Sequence, residues 1–338
     1  MEFAKIIDRL LTGHSLNEEI AGAAISAVMD GQCTPAQIAA LLTALHCKGE
    51  TVDEITGAAR AMRNHAIPIK TSRTGLIDTC GTGGDRSGSF NISTTAAFIV
   101  AGAGVPVAKH GNRSATSKCG SIDLLEQLGV NIMITPEQAG YCLDEVGMSI
   151  LFARMVHPAM KYAAPIRSEL GFRTIFNFLG PLTNPASPDF QLVGISDAGR
   201  IETYAQCLQK LGIKHAWVVS ASDGLDEITL TDSTKYFEIT QGEIKQGEIN
   251  PEEFGLKLCS PNDLKGGSLE ENTAITLSIL KGEEKGAKRD ITLLNAGTAL
   301  YVAEKAPSIG DGIKLAADSI DSGKAYNVLE KLVKFTNQ

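Results

Sequence analysis

A run of closely spaced glycines is where the chemistry of this chain concentrates: Gly81, Thr82, Gly83, Gly84 and Asp85, then Gly88 after Arg86 and Ser87. A short apolar run, Leu76 to Cys80, precedes it, and Asn91, Ser93 and Thr94 stand before the small and apolar run Thr95 to Ala103. A strand that feeds a glycine loop and ends at a helix start collects unpaired backbone amides at the positive end of a helix dipole, and such a place holds an anion. A second apolar run, Val105 to Ala108, should be a strand that ends in Lys109, His110, Gly111, Asn112, Arg113 and Ser114. The expected ligand is a phosphate or diphosphate. Asp85 would repel a bare phosphate, so a phosphorylated sugar accompanied by a divalent cation fits the loop better. The dinucleotide pattern would need glycine where Arg86 stands, and the Walker pattern would need lysine where Ser89 stands.

Asp226 and Glu227 are the next chemical feature. Adjacent side chains diverge on a strand, but after Gly224 the backbone should be a loop, where both carboxylates can reach cations on one side. Magnesium prefers one or two carboxylates plus substrate phosphates to an all-protein cage. A lone DE in a loop is usually a solvated turn, a lone histidine at a strand end is more often structural, and a lone arginine more often a surface charge.

These motifs resemble the anthranilate phosphoribosyltransferases. CGTGGD lies at Cys80 to Asp85, NIST at Asn91 to Thr94 and KHGNRS at Lys109 to Ser114. PIRSELGFRT contains Arg167, NFLGPLTNP runs from Asn177 to Pro185, and DGLDE from Asp223 to Glu227. The motifs follow the family's order over most of the chain. The resemblance implies an α/β fold of the nucleoside phosphorylase and phosphoribosyltransferase type: a small all-helical N-terminal domain plus a larger α/β domain with a mainly parallel central sheet, the active site lying in the cleft between them. It implies transfer of the phosphoribosyl group of phosphoribosyl pyrophosphate (PRPP) to the amine of anthranilate, giving N-(5-phosphoribosyl)anthranilate and pyrophosphate on the route to tryptophan. Gly81, Gly84, Asp85, Ser89, Asn91, Ile92, Ser93, Thr94, Lys109, His110, Gly111, Asn112, Arg113, Ser114, Ala115, Thr116, Ser117 and Ser121 are then expected to line the substrates. Asn112 and Arg167, with the Gly81 backbone, should hold anthranilate, a guanidinium matching a benzoate carboxylate in two parallel bonds, and His110 should pack against or hydrogen-bond it. Ser93, Asp226 and Glu227 should hold magnesium, as two ions. Lys109, Arg167, Asp226 and Glu227 would act by electrostatics and positioning, with no obligatory acid or base assigned.

Two other classes share the architecture. A pyrimidine nucleoside phosphorylase would place inorganic phosphate in the glycine loop, but KHGNRS and DGLDE argue against it. A non-enzymatic nucleic-acid-binding relative should lack the acidic pair and carry basic patches, whereas this chain keeps the pair and has 31 basic against 39 acidic residues, a net charge of −8.

The bulk properties suit a two-domain globular protein. The 338 residues are 43% hydrophobic and 21% charged, enough for a large core. The seven cysteines form no C-x-x-C pair and the six histidines no ligand-spaced cluster, so reduced thiols in the cytoplasm are expected. Neither a spanning helix nor a signal peptide is expected, and no membrane or nucleic-acid partner.

The elements that must position these groups follow from pattern. Four short helices are expected in the first 65 residues, with capping boxes at Ser15 and Glu18, Thr34 and Gln37, and Thr51 and Glu54. Their Leu and Ile stripes should be buried in a homodimer through the helical domain. From Gly75 on, strand-like and helical runs alternate, as in a parallel sheet covered by helices. Strands are expected at Val130 to Ile134, Met148 to Ala153, Leu192 to Ser196 and Ala216 to Ser220, and a hairpin at Lys235 to Thr240 and Glu243 to Ile249. Helices should run from about Arg200 to Leu211, Glu271 to Lys281, Ile291 to Glu304, and Ile313 to Phe335 with a break near Gly323. The helical domain is expected over residues 1–70 with a return segment near 165–188, and the α/β domain over 71–338.

Overall fold

A computed structural model describes residues 2–85, 87–113 and 119–338. Its first four helices are α1 (Phe3–Leu11), α2 (Glu18–Met29), α3 (Pro35–Lys48) and α4 (Val52–His65). Thr34 with Gln37 and Thr51 with Glu54 cap α3 and α4 reciprocally. The box expected from Ser15 and Glu18 does not form. Helix α2 starts at Glu18, so Asn17 is the cap, its side chain accepting the Ile20 N–H at 2.8 Å, and Glu18 pairs instead with Arg60 and Lys210.

Most of the apolar stripes are spent inside the chain. Phe3, Ile6, Leu10, Ile38, Leu41, Leu42 and Leu45 are buried, in one core with Ile175, Phe176, Leu179 and Leu182 of the later segment and Val193 and Val218 of the sheet. A second copy is therefore not required to cover them. Leu11, 70% exposed, Ile67, 41%, and Ile20, 37%, are large apolar side chains left open on the first 70 residues.

Among the described residues seven strands form one sheet: β1 (Ile77–Gly81), β2 (Val107–Gly111), β3 (Met148–Phe152), β4 (Phe190–Gly194), β5 (His215–Ala221), β6 (Thr234–Thr240) and β7 (Glu243–Ile249), in the order β3-β2-β1-β4-β5-β6-β7. The first five are parallel, and β6 and β7 add an antiparallel hairpin. Alternate residues face two cores. Ile77, Leu192 and Trp217 meet α5 (Ile92–Gly102) and the C-terminal helices, whereas Cys80, Val193 and Val218 meet the N-terminal helices and Ile201–Lys210. The C-terminal helices are Leu269–Leu280, Ala287–Val302, Ile309–Asp321 and Lys324–Thr336, the last two separated by Gly323 at φ 75°.

Two local expectations need correction. Val130 to Ile134 is no strand: it forms a turn between two helices, its backbone held by Asn131 N–H donating to Thr336 Oγ1 at 3.1 Å. Helix α5 begins at Ile92, ahead of the apolar run, which puts Ser93 and Thr94 in its first turn. Strand β1 lies between β2 and β4, so the winding of the chain reverses beside it. In open α/β sheets the crevice at the carboxyl ends of the strands at such a reversal is where ligands bind.

Candidate active site

Gly81 ends β1 and Gly194 ends β4, paired in register at that crevice. A side chain on either is excluded by one neighbour: a Cβ on Gly194 would lie 1.7 Å from the Asp226 carbonyl oxygen, and one on Gly81 would lie 2.4 Å from Asp226 Oδ2. The two glycines thus form a seat for Asp226. Its Oδ2 accepts the Gly83 N–H at 2.7 Å, and Glu227 Oε1 accepts the Ser93 N–H at 3.1 Å. Amides expected to await a phosphate are bonded here to the chain's own carboxylates. Burial, then the nearby Asp85 charge, pushes the Asp226 carboxyl up to about 6. Burial, then Asp226, pushes Glu227 upward too, against the pull of Lys109 and Ser93. Asp85 Oδ2 is itself buried without a hydrogen-bond partner among the described residues.

The strand expected to end at Ala108 continues to Gly111, which draws Lys109 and His110 into the sheet. Lys109 is 2% exposed and donates from Nζ to the Thr79 carbonyl at 2.6 Å. Burial lowers its pKa, while Asp78 and Glu227 raise it. Asp78 is fully buried, accepts from Asn184 Nδ2 at 2.9 Å and the His110 N–H at 3.3 Å, and is pushed by burial up to about 6. Burial, then His157, depresses His110 to about 3, so the ring is neutral. Its Nδ1 lies 3.1 Å from the Gly180 carbonyl, which can only accept, so Nδ1 carries the proton and Nε2 is a buried acceptor without a partner among the described residues.

The remaining expected residues divide into groups. Asn91 caps α5 and donates to the Cys119 carbonyl at 3.2 Å; Ile92 and Thr94 are buried in the first turn. Ser89 bridges to Lys265, pinning the exit of the glycine loop. Gly84 lies against the Arg173 guanidinium. Gly111 lies against Ser121, whose Oγ donates to the Asn112 carbonyl at 3.4 Å. Asn112 Oδ1 accepts the Arg113 N–H at 2.8 Å. Arg113 is engaged outward, by Asp123 at 2.7 Å and Glu126 at 2.9 Å. Ser114, Ala115, Thr116 and Ser117 lie outside the described residues. Arg167 is part-buried, 3.5 Å from Asn177 Oδ1 and over the Phe176 ring at 5.3 Å. Among the described residues no hydrogen bond joins Arg167 to Asn112 or the glycine loop.

A family model described as "Glycosyl transferase family, helical bundle domain" matches residues 4–66, and one described as "Glycosyl transferase family, a/b domain" matches residues 73–326. The chain is 56% identical over 317 residues to the anthranilate phosphoribosyltransferase of Desulfitobacterium hafniense (strain Y51), with 94% of each chain covered. The chain belongs to the anthranilate phosphoribosyltransferase family. The corresponding enzyme of Symbiobacterium thermophilum is 51% identical, covering 98% of this chain and 97% of its own. Among solved structures, the anthranilate phosphoribosyltransferase of Thermus thermophilus superposes with a TM-score of 0.93 at 44% identity, covering 98% of this chain and 99% of its own. The Saccharomyces cerevisiae enzyme, solved in complex with PRPP and Mg, shares the fold with a TM-score of 0.92 at 24% identity, covering 99% and 98%.

Within this family frame, four residues beside the site were not singled out by sequence reasoning. Asp78 sits inside an apolar run and gave no polar signal; Asn184 lies within NFLGPLTNP but was given no role. His157, whose ring lies 5.1 Å from that of His110 and is depressed by burial to about 4, belongs to no motif. Arg173, six residues after Arg167, reaches the glycine loop by donating to the Gly83 carbonyl at 3.1 Å.

Proposed function

We propose that this chain transfers the 5-phosphoribosyl group of PRPP to the amine of anthranilate, releasing pyrophosphate. The single observation that carries this reading is the seating of Asp226 and Glu227 against the glycine loop at the sheet's reversal, in a chain 56% identical to a named anthranilate phosphoribosyltransferase. The nucleoside phosphorylase and nucleic-acid-binding readings are not favoured.

Magnesium, present with PRPP in the solved yeast structure, is the cation proposed. The donor set suits it: oxygens of Ser93, Asp226 and Glu227 would hold it, and buried acids with raised pKa values, with Asp85 Oδ2 unpartnered, are balanced by a hard dication. Two ions are proposed. When bound, the cation neutralises charge on the pyrophosphate leaving group.

The chain's own residues hold the reactants in line. Arg167 pairs with the anthranilate carboxylate, and Asn112 and the Gly81 backbone complete that end. His110, neutral, offers Nε2 as an acceptor for the amine N–H. Gly84, Ser89, Asn91, Thr94 and Lys109 to Arg113 are proposed to hold the donor. An aromatic amine is uncharged at pH 7, so positioning and charge neutralisation carry the rate more than proton transfer does. The amine nitrogen bonds to ribose C1 on the face opposite the departing pyrophosphate oxygen, through a transition state with oxocarbenium character, and then loses a proton.

Residues 1–70, with the return segment near 165–188, are proposed as one domain and 71–338 as the other. The helical domain, with Leu11 and Ile20 open on its surface, is proposed as the contact of a homodimer, which light scattering would read as about twice 35.8 kDa. The cytoplasm is proposed as its location, in keeping with seven cysteines that form no C-x-x-C pair. Mass spectrometry of a mixture of protein, PRPP, magnesium and anthranilate tests the reaction: N-(5-phosphoribosyl)anthranilate is expected, and unchanged anthranilate would count against it.

A further inference from the structure

The loop that carries the acidic pair is gripped from outside the site. Residues 222–230 form neither helix nor strand, so no ladder satisfies their backbone groups. Asn295, 1% exposed on the helix Ala287–Val302, supplies partners for both polar groups of the residue next to Glu227: Oδ1 accepts the Ile228 N–H at 3.0 Å and Nδ2 donates to the Ile228 carbonyl at 2.8 Å. The same Nδ2 donates to the Ile291 carbonyl of its own helix at 2.9 Å, which fixes the orientation of the amide. A side chain must both accept and donate to make this clamp, and at this length only asparagine does so. Upstream, Asp223 accepts from the Leu225 N–H at 3.0 Å and the Thr229 hydroxyl at 2.9 Å. Asp226 has a separate seat in Gly81 and Gly194, so the clamp bears most directly on Glu227 and its bond to the first turn of α5.

We propose that Asn295 is a positioning residue: by clamping the Ile228 backbone it sets the reach of Glu227 toward the glycine loop, and so the site's affinity for a divalent cation carried by a diphosphate. This rests on the donor site proposed above. Groups that orient metal ligands without touching the metal commonly change affinity by about 10- to 100-fold when removed.

The test uses the full chain with Asn295→Ala and Asn295→Asp. The aspartate is isosteric; it can accept the Ile228 N–H but, when ionised, donates to neither carbonyl, and it serves if the alanine variant does not fold. Manganese(II) with PRPP is the probe, free manganese being counted by electron paramagnetic resonance, so the readout needs no turnover. Affinity for manganese in the presence of PRPP should fall about tenfold or more, while KM for anthranilate stays within about twofold of wild type. In a Glu227→Gln background the same substitutions should change manganese affinity by less than about threefold, since the group they position is already gone. Variants that melt earlier but keep wild-type manganese affinity per folded molecule, or that weaken both substrates equally, would overturn the proposal. Wild-type turnover tests the reaction itself, and the manganese ratio tests the clamp separately.

Discussion

Glu227 accepts the backbone N–H of Ser93 at 3.1 Å, so a carboxylate fills the anion position that the first turn of a helix offers. Asp226 does the same for Gly83 in the loop before it. Adjacent carboxylates held by amides suited to phosphate are a poised arrangement: burial, with Asp85 beside Asp226 and Asp226 beside Glu227, lowers the acidity of both and favours a dication that binds acids and phosphates together.

Asp226→Asn combined with Glu227→Gln keeps volume and removes the charge. Turnover should fall by about a hundredfold or more, while the melting temperature holds or rises because buried repulsion is relieved. Calorimetry and steady-state rates at several magnesium concentrations check this; an active double variant with unchanged magnesium dependence would reduce the pair to a turn.

The two glycine environments predict different outcomes for one methyl group. Gly83 has φ 67° and open space around its missing Cβ, so Gly83→Ala should cost about 1 kcal/mol of stability from backbone strain alone. Gly194→Ala places a methyl 1.7 Å from the Asp226 carbonyl oxygen, which forces the acidic loop to move. That variant should lose about 1–3 kcal/mol or more and most magnesium-dependent activity. Urea unfolding and rates on both proteins decide it, and equal behaviour would contradict the seat.

Arg167 separates the substrates. Arg167→Ala should raise KM for anthranilate about 10- to 100-fold, the worth of a charge-assisted bidentate contact, and that for PRPP much less. Arg167→Lys should recover part of the loss, since it keeps charge but not the fork. Equal weakening of both would mean that Arg167 shapes the surrounding segment instead.

Acid should destabilise the fold through His110 and His157, depressed to about 3 and about 4. The unfolded chain protonates both below about pH 6.5, whereas the folded chain does not until their depressed values. Their contribution is therefore complete above about 6.5 and is lost as pH falls toward about 4, at up to ~1.4 kcal/mol per unit for each ring. Asp78, raised to about 6, acts in the opposite sense, since the folded chain takes up its proton first. Urea unfolding of wild type and His157→Gln across this range should give a shallower loss in the variant. Identical slopes would contradict the assignment.

Much of the scaffold was legible because its signals are local. Thr34 and Thr51 announce their helices, Gln241 and Gly242 sit where the β6–β7 hairpin turns, and the glycine loop stands between strand and helix as its spacing requires. The misses concern partners distant in sequence. Ser93 and Glu227 are 134 positions apart, and no local pattern shows that carboxylates occupy the amides. Lys109 and His110 look like a solvated strand end, yet β1 and β3 flank their strand and hold it to Gly111. Val130 to Ile134 has a strand's composition, but its backbone is taken up by Thr336 of the last helix, 205 positions away. The N-terminal stripes looked spare because the segment that covers them, around Phe176 and Leu182, comes more than a hundred residues later.

The central claim is tested most directly by anthranilate fluorescence in the presence of the protein, magnesium and PRPP. The expected result is a continuous fall that stops when EDTA is added, resumes with excess magnesium, and releases one pyrophosphate for each anthranilate consumed. Constant fluorescence beside an active control enzyme would contradict it.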